Sequence, residues 1–210
     1  DGNGYLVVWQ GDDDTGNLVD GEIEIFGQLI DGSGAEVGSD VRISDMGALD
    51  GDTTYRAEHP AVAYDGTDDE YLVVWSGDDD TGALVDGAFE IFGQRLDAAN
   101  MAHVGSNDFR ISDMGAADDD TAFGAYRPHV CYDDDENTYL VIWMGDDDAG
   151  TMVDGAFEVF GQRIDAASGS EMGTNDVPLS DMGPDGDPAY GAYAPRVAYN
   201  DAVSQYLVVW

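Results

Sequence analysis

The 210-residue sequence predicts an all-β fold of tandem four-stranded antiparallel blades, arranged like those of a β-propeller. A strand-like motif, Tyr-Leu-Val-Val-Trp or its Ile variant, returns at intervals of 66, 68 and 67 residues and carries all four tryptophans, Trp9, Trp75, Trp143 and Trp210. An acidic turn and then a Phe-Gly-Gln segment follow the first three copies. No segment has helical spacing of apolar residues over more than about ten positions. The chain is therefore one supersecondary unit repeated in tandem.

The four strands of the unit are clearest in the central copy. The apolar segment 61–64 follows a proline and precedes an acidic turn, and it predicts the first strand. The run 71–75 is continuous β-branched and aromatic sequence, which is typical of a strand covered on both faces. Segment 89–96 mixes strand-forming and polar residues, as expected of a strand with one partly exposed face. Segment 109–112 predicts the last strand, after a Gly/Asn/Ala-rich connection.

This pattern divides one continuous repeat domain into four parts: repeat 1 at 1–60 with three strands and a loop, repeat 2 at 61–127, repeat 3 at 128–194, and the start of a fourth at 195–210. About three blades are too few to close a ring, which takes four to eight. The array is therefore expected to gain blades in a longer polypeptide, to be completed by another copy, or to stay open. Because the chain starts and stops at strand motifs, we expect it to be part of a longer repetitive protein.

The charge of the chain excludes two classes of partner. With 36 Asp, 9 Glu, 7 Arg and no Lys, the formal net charge is -38, which repels nucleic acid and anionic membrane. No apolar run approaches the roughly 18–20 residues that a membrane span needs, so membrane insertion is not expected. Self-repulsion at this charge destabilises the compact state unless cations bind or the salt concentration is high.

The acidic turns are the strongest candidate site. Carboxylates crowded on a short turn repel one another unless a hard cation lies among them, and calcium accepts six to eight oxygens in flexible geometry. We predict Ca²⁺ bound by the first and third Asp of each turn and the Asp of the following Val-Asp-Gly. The alternative is a solvated acidic surface adapted to high salt. Recurrence at fixed positions and the excess of Asp over Glu favour calcium. The predicted ligands are Asp12, Asp14 and Asp20, then Asp78, Asp80 and Asp86, then Asp146, Asp148 and Asp154.

A second candidate is the recurring Ser-Asp-Met-Gly segment, which is followed by further acidic residues. Its aspartates, Asp45, Asp113 and Asp181, either bind calcium and order the long loop, or bond backbone amides as Asx turns. The sequence does not distinguish the two.

Catalytic signatures are weak. The histidines His59, His103 and His129 do not recur between repeats, which favours surface positions, and paired carboxylates are too abundant to indicate glycoside cleavage. Propeller hydrolases gather unlike residues from different blades at the centre of the ring, and near-identical repeats offer little such asymmetry. The sequence therefore predicts that the chain is not an enzyme. Tyr55, Tyr126 and Tyr193 precede first strands and either form a contact surface or pack beneath loops.

The series Pro-x-Val-Ala-Tyr, Tyr-Leu-Val-Val-Trp, Phe-Gly-Gln-Arg-Leu-Asp-Ala and Arg-Ile-Ser resembles tandem repeats of very large secreted bacterial proteins. The resemblance implies a propeller-like fold and an extracellular or cell-surface location, but no defined activity. From the near identity of the units we predict a non-catalytic structural role, as a calcium-stabilised scaffold or filament segment whose partners are copies of itself or adjoining repeats. The alternatives are a calcium-dependent adhesin or carbohydrate-binding module and, more weakly, a secreted propeller hydrolase.

Overall fold

The computed structural model describes residues 4–147, 152–184 and 186–210, and within these ranges the chain consists of strands, turns and loops without a helix. Every strand pairing is antiparallel. The strands are β1 (Gly4–Asp12), β2 (Ile23–Asp31), β3 (Glu36–Arg42), β4 (Arg56–Asp65), β5 (Glu70–Asp78), β6 (Glu90–Asp97), β7 (His103–Arg110), β8 (Gly124–Asp133), β9 (Thr138–Asp146), β10 (Glu158–Asp165), β11 (Glu171–Pro178), β12 (Arg196–Asn200) and β13 (Gln205–Val209).

The strands form blades in chain order. Two blades are complete, β4-β5-β6-β7 and β8-β9-β10-β11, while β1-β2-β3 forms a three-stranded sheet and β12-β13 a two-stranded one. We call β4, β8 and β12 the inner strands, because each opens its sheet and they pack against one another, β4 on β8 and β8 on β12. The prediction of an all-β protein with propeller-like antiparallel blades is confirmed.

The last strand of the unit differs from its prediction. β7 spans His103–Arg110 and begins six residues before the predicted segment 109–112. The tight turn at 97–101 brings the Gly/Asn-rich connection back onto β6, and a register shift between Gly93 and Arg95 takes up three extra residues of β7. β7 pairs with only one neighbour, and half of its residues are exposed and none is buried, so it lacks the apolar pattern that would have marked it as a strand.

The core lies between blades. Trp75 and Trp143, on the central strands β5 and β9, are fully buried, which confirms the core position predicted for these two. The indole N–H of Trp75 donates to the sulfur of Met46 at 3.4 Å, and Met46 belongs to the Ser-Asp-Met-Gly loop of the preceding sheet. Met114 lies in the same buried cluster as Trp143 of the next blade, where no hydrogen-bond partner of Trp143 Nε1 is found among the described residues. The buried methionines Met46 and Met114 therefore tie one blade to the next by packing.

One end of each blade carries both the acidic turn and the Ser-Asp-Met-Gly loop. The inner strands begin at this end, which we call the acidic end. In the described ranges, no helix is long and apolar enough to cross a membrane.

Candidate functional site

The repeats differ most at the beginning of the inner strands. The second and third strands of the blades keep their motifs almost unchanged, whereas equivalent inner-strand positions carry charged, aromatic or small side chains. In order, these positions hold Arg56, Glu58, His59 and Ala61 in β4, then Gly124, Tyr126, Arg127 and His129 in β8, then Gly191, Tyr193, Ala194 and Arg196 at β12. The asymmetry that the sequence seemed to lack is therefore concentrated at the inner edge of the blades.

The backbone at these positions is strained in the same way three times. His59, Arg127 and Ala194 each precede a proline and adopt positive φ angles of 56°, 54° and 50°. Such conformations cost of order 1–3 kcal/mol for residues other than glycine. The amide of His59 donates to Gln10 Oε1 at 2.8 Å, and the amide of Arg127 donates to Ser76 Oγ at 2.9 Å. The strained bulges of β4 and β8 are therefore held by the preceding blade, and bulges of this kind re-aim side chains next to functional sites.

A row of aromatic rings crosses two blade boundaries at the acidic end. Ring centroids are 5.7 Å apart for Phe89 and Tyr126, 6.1 Å for Tyr126 and Phe157, and 6.1 Å for Phe157 and Tyr193. We call these four residues the aromatic row. Phe89 is buried, with 9% of its surface exposed, whereas Tyr193 is 53% exposed. The row thus changes along its length from core packing to an accessible ring.

Glycines make room for the tyrosines of the row. A Cβ added at Gly124 would lie 2.7 Å from the hydroxyl oxygen of Tyr126, and a Cβ at Gly191 would lie 2.7 Å from that of Tyr193. In β4 the Gly and Tyr are replaced together by Arg56 and Glu58. The blade that lacks the tyrosine therefore carries a charged pair in its place.

Several polar side chains lie near Arg56 and Glu58, the charged pair that replaces the glycine and tyrosine of the other inner strands. Arg56 Nε lies 3.5 Å from Glu58 Oε1, and its guanidinium lies 5.2 Å from the ring centroid of Phe89. His59 Nδ1 lies 4.0 Å from Glu58 Oε2. Burial and the nearby Arg127 guanidinium lower the pKa of His59, so this imidazole is neutral at pH 7. We call Arg56, Glu58, His59 and Arg127 the inner-strand site.

The first aspartates of the acidic turns fasten the turn to the inner strand. Asp78 is buried, and its two oxygens accept the amides of Arg56 at 2.9 Å and Gly87 at 3.1 Å. Asp146 repeats this with Gly124 at 3.1 Å and Gly155 at 2.8 Å. In the first sheet, Asp12 accepts the amide of Gly21 at 2.8 Å.

The other predicted calcium ligands of the turns are placed differently. Asp14, Asp20, Asp80, Asp86 and Asp154 are exposed, and Asp148 lies outside the described residues. Within the described ranges, no group of three or more His, Cys, Asp or Glu side chains is arranged so that it could hold a metal ion. Calcium at these turns stays a prediction.

The aspartates of the Ser-Asp-Met-Gly loops are exposed and face arginines. Asp45 lies 3.0 Å from Arg42, and Asp113 lies 2.9 Å from Arg110, while Asp181 is exposed. These ion pairs take the place of the Asx bonds considered for this segment.

Three carboxyl groups hold the amides of each loop. The amide of Asp45 donates to Asp108 at 2.9 Å, that of Met46 to Glu24 at 2.9 Å, and that of Gly47 to Asp79 at 3.0 Å. The next boundary repeats the arrangement. The amide of Asp113 donates to Asp176 at 3.0 Å, that of Met114 to Glu90 at 2.9 Å, and that of Gly115 to Asp147 at 3.0 Å. Two of the three acids come from the following blade, so the clamp joins neighbouring blades. This clamp could not be predicted from the sequence, because the carboxyl groups bind backbone amides that lie far away in the chain.

Burial changes the acidity of these clamp groups. Desolvation raises the pKa of Glu24 to about 7, that of Glu90 to about 8, and those of Asp108 and Asp176 to about 7. The hydroxyls of Ser44 and Ser112 donate to Glu24 and Glu90 in short hydrogen bonds. Perturbed carboxyl groups often indicate catalysis. Here they recur at equivalent positions and bond the loop backbone, which indicates a structural role.

No protein-family model and no curated protein matches the chain. Among solved structures it is similar to an N-acetylgalactosamine deacetylase from F. plautii in complex with blood group B trisaccharide, with 15% identity, a TM-score of 0.51, and coverage of 93% of this chain and 55% of that one. It is also similar to a thermostable family-43 glycoside hydrolase, with 12% identity, a TM-score of 0.55, and coverage of 98% and 61%. At these identities the likeness concerns the fold, and the chain spans little more than half the length of either enzyme.

The comparisons contradict the function predicted from the sequence. The prediction of a non-catalytic scaffold or filament segment, and with it the prediction that the chain is not an enzyme, is wrong, because the structures that share the fold are enzymes that act on carbohydrate. The argument behind that prediction was the near identity of the repeats, and it fails at the inner strands. Aligning the three inner strands would have exposed the differences at Glu58, His59 and Arg127 from sequence alone.

Proposed function

We propose that the chain forms part of a secreted hydrolase that acts on carbohydrate, with its site at the inner-strand site and the aromatic row. One observation carries the proposal: unlike polar side chains from two neighbouring blades meet beside the aromatic row, whereas the motifs of the second and third strands repeat. The fold shared with a deacetylase and a glycoside hydrolase supports carbohydrate as the substrate class.

The aromatic row suits the apolar faces of sugar rings. Tyr193 offers an accessible ring, and Tyr126 and Phe157 continue the row toward the inner-strand site. A site with a few polar groups beside aromatic walls is the usual composition of a small-molecule pocket. The row would therefore hold the sugar, and the polar groups at its end would carry the chemistry.

Glu58 is our candidate for the general acid–base group. It is partly exposed, and both Arg56 and His59 lie within 4.0 Å of its carboxylate oxygens. Glycoside hydrolysis needs a second carboxylate on the other side of the bond. The acidic turns reach the same end of the inner strands and supply exposed carboxylates, of which Asp86 adjoins the Gly87 amide that Asp78 holds.

The test is hydrolysis of a panel of oligosaccharides by the wild type and by Glu58→Gln. General acid–base catalysis contributes about 10²–10⁴-fold, so we expect the variant to lose at least about a hundredfold in kcat. Glu36→Gln, which removes an exposed carboxylate from the outer strand β3, is the matched control and should keep full activity. Unchanged hydrolysis by Glu58→Gln, at equal thermal stability, would remove Glu58 from the mechanism. The absence of any turnover by the wild type would end the hydrolase proposal.

An extracellular setting and calcium belong to the same proposal. The resemblance to repeats of large secreted proteins supports the location, and the exposed Asp80 and Asp86 beside the anchored Asp78 support calcium at the acidic turn. Calcium there would stabilise the loops that border the inner-strand site and would offset part of the net charge of -38.

A further inference from the structure

The few basic residues of this protein are unevenly distributed. The chain has 7 Arg and 3 His against 45 acidic residues. Three of the arginines and two of the histidines lie on the short inner strands, namely Arg56 and His59 on β4, Arg127 and His129 on β8, and Arg196 on β12. The inner edge of the blades is thus a locally basic region on a very acidic molecule.

Two of these arginines have no counterion among the described residues. Each of the other five arginines lies within 4.0 Å of a carboxylate, as Arg95 does with Glu70 at 2.7 Å. No carboxylate of the described residues lies within that distance of Arg127 or Arg196, and both side chains are exposed. Arg196 donates through Nη1 to the carbonyl oxygens of Pro195 at 2.7 Å and Ala194 at 3.4 Å. These bonds use only Nη1, so the N–H groups on its Nε and Nη2 remain available to a ligand. With acids so abundant, two arginines on neighbouring inner strands with no carboxylate of the described residues within 4.0 Å are unexpected.

The histidines accompany these arginines across the inner-strand boundaries. Burial and then the Arg127 guanidinium lower the pKa of His59, and burial and then Arg196 lower the pKa of His129. The amide of Val197 donates to His129 Nδ1 at 3.3 Å, which leaves Nε2–H as a donor in the neutral ring. We call His59, Arg127, His129 and Arg196 the basic cluster. It spans β4, β8 and β12, and of its four side chains only His59 has a carboxylate of the described residues within 4.0 Å, that of Glu58.

We propose that the basic cluster binds the oxyanion of an acidic sugar, a uronate carboxylate or a sulfate ester, so that the substrate is an anionic polysaccharide. This inference rests on the proposed carbohydrate hydrolase. A guanidinium group binds such oxyanions with two parallel hydrogen bonds, and the bound anion relieves the repulsion within the cluster.

The net charge of the protein does not contradict this assignment. Charges more than about 8 Å apart are largely screened at physiological ionic strength. A sugar in contact with Arg127 and Arg196 therefore responds mainly to the cluster, while the acidic turns and loops act on it weakly. The overall charge slows the approach of an anion but does not decide its binding at contact.

The test compares three probes by isothermal titration calorimetry at about 0.15 M salt: oligogalacturonate, its neutral methyl ester, and a sulfated galactan oligosaccharide. We expect the wild type to bind at least one acidic probe more tightly than the methyl ester, and the probe that binds identifies the oxyanion. Arg127→Ala and Arg196→Ala should each weaken that binding about tenfold and leave the methyl ester unaffected. Alanine suits both sites, because Ala194 and Ala61 occupy the equivalent positions in other inner strands.

The controls are the single variants Arg42→Ala and Arg163→Ala, each of which makes the same change in net charge as either test variant, away from the inner strands. Equal affinity of the wild type for the acidic probes and the ester, or an equal loss in the controls, would overturn the inference. If an alanine variant unfolds, Arg127→Lys keeps the charge without the planar fork and should still weaken binding. Hydrolysis of neutral glycans with no preference for acidic ones would contradict the inference about the basic cluster but not the proposed hydrolase function. Tight binding of acidic probes with no hydrolysis of any substrate would contradict the hydrolase function but not the oxyanion site.

Discussion

The loop clamp makes the stability of the protein depend on pH, and Glu90 allows the dependence to be measured. Glu90 is buried, and its oxygens accept the amide of Met114 at 2.9 Å and the hydroxyl of Ser112. Desolvation raises its pKa from 4.5 to about 8. The folded protein therefore holds a proton on this side chain over a pH range in which the unfolded chain has released it.

The direction and size of the effect follow by linkage. Stabilisation by neutral Glu90 is complete below pH 4.5 and is lost as the pH rises through about 8, so the free energy of unfolding falls across this interval. At 1.36 kcal/mol per pKa unit, the full shift corresponds to ~5 kcal/mol. Glu24, with a pKa of about 7, adds a smaller change of the same sign.

Glu90→Gln isolates this contribution because glutamine keeps the shape and stays neutral. Urea unfolding of the wild type and the variant at pH 5 and pH 8.5 gives the free energies of unfolding. We expect similar stability at pH 5 and a variant more stable than the wild type at pH 8.5, by up to ~5 kcal/mol. Glu36→Gln, an exposed glutamate, controls for the change in net charge. Parallel pH profiles of wild type and Glu90→Gln would refute the reasoning, because they would mean that Glu90 titrates alike in both states.

Two further predictions concern the acidic end. Gly124→Ala should destabilise the protein by about 1–3 kcal/mol, because the new Cβ would lie 2.7 Å from the Tyr126 hydroxyl and 3.1 Å from the Phe89 carbonyl oxygen. A urea midpoint equal to that of the wild type would contradict this prediction. The control is Gly66→Ala, because the atom nearest to its new Cβ is 3.7 Å away. Calcium at the acidic turns should raise the melting temperature relative to chelator, and Asp80→Asn/Asp86→Asn should reduce that rise. Equal melting temperatures in calcium and chelator would favour the solvated acidic surface.

The strands with strong local patterns were predictable from the sequence, and the edge strand was not. The apolar run that becomes β5 needs no knowledge of its partners, because burial on both faces leaves its mark on composition. The mixed run that becomes β6 predicts a strand with one partly exposed face, but the structure buries both of its faces. β7 has an exposed, Gly- and Asn-containing sequence and is a strand only because β6 offers it hydrogen bonds.

The roles of the acids were beyond local sequence reasoning for a similar reason. Crowded carboxylates suggested a cation, but Asp78 is buried against two backbone amides and Asp108 reaches a loop amide 63 residues earlier in the chain. Backbone amides carry no sequence signature. Part of the inner-strand site was visible in the sequence as the non-recurring His59, but lack of recurrence predicts an ordinary surface position as readily as a functional one.

Recurrence separates structure from function in this fold. A residue that recurs in every blade performs a task that every blade needs: Asp78 and Asp146 anchor the turn, Glu24 and Glu90 hold the loop, and both tasks are completed by backbone groups. Such residues have few donors or acceptors left for a ligand. The same positive φ before the proline occurs with histidine in β4, arginine in β8 and alanine before β12, so all three side chains fit there. Side-chain identity at these positions is therefore free to serve a ligand, which is why we assign both the inner-strand site and the basic cluster to them.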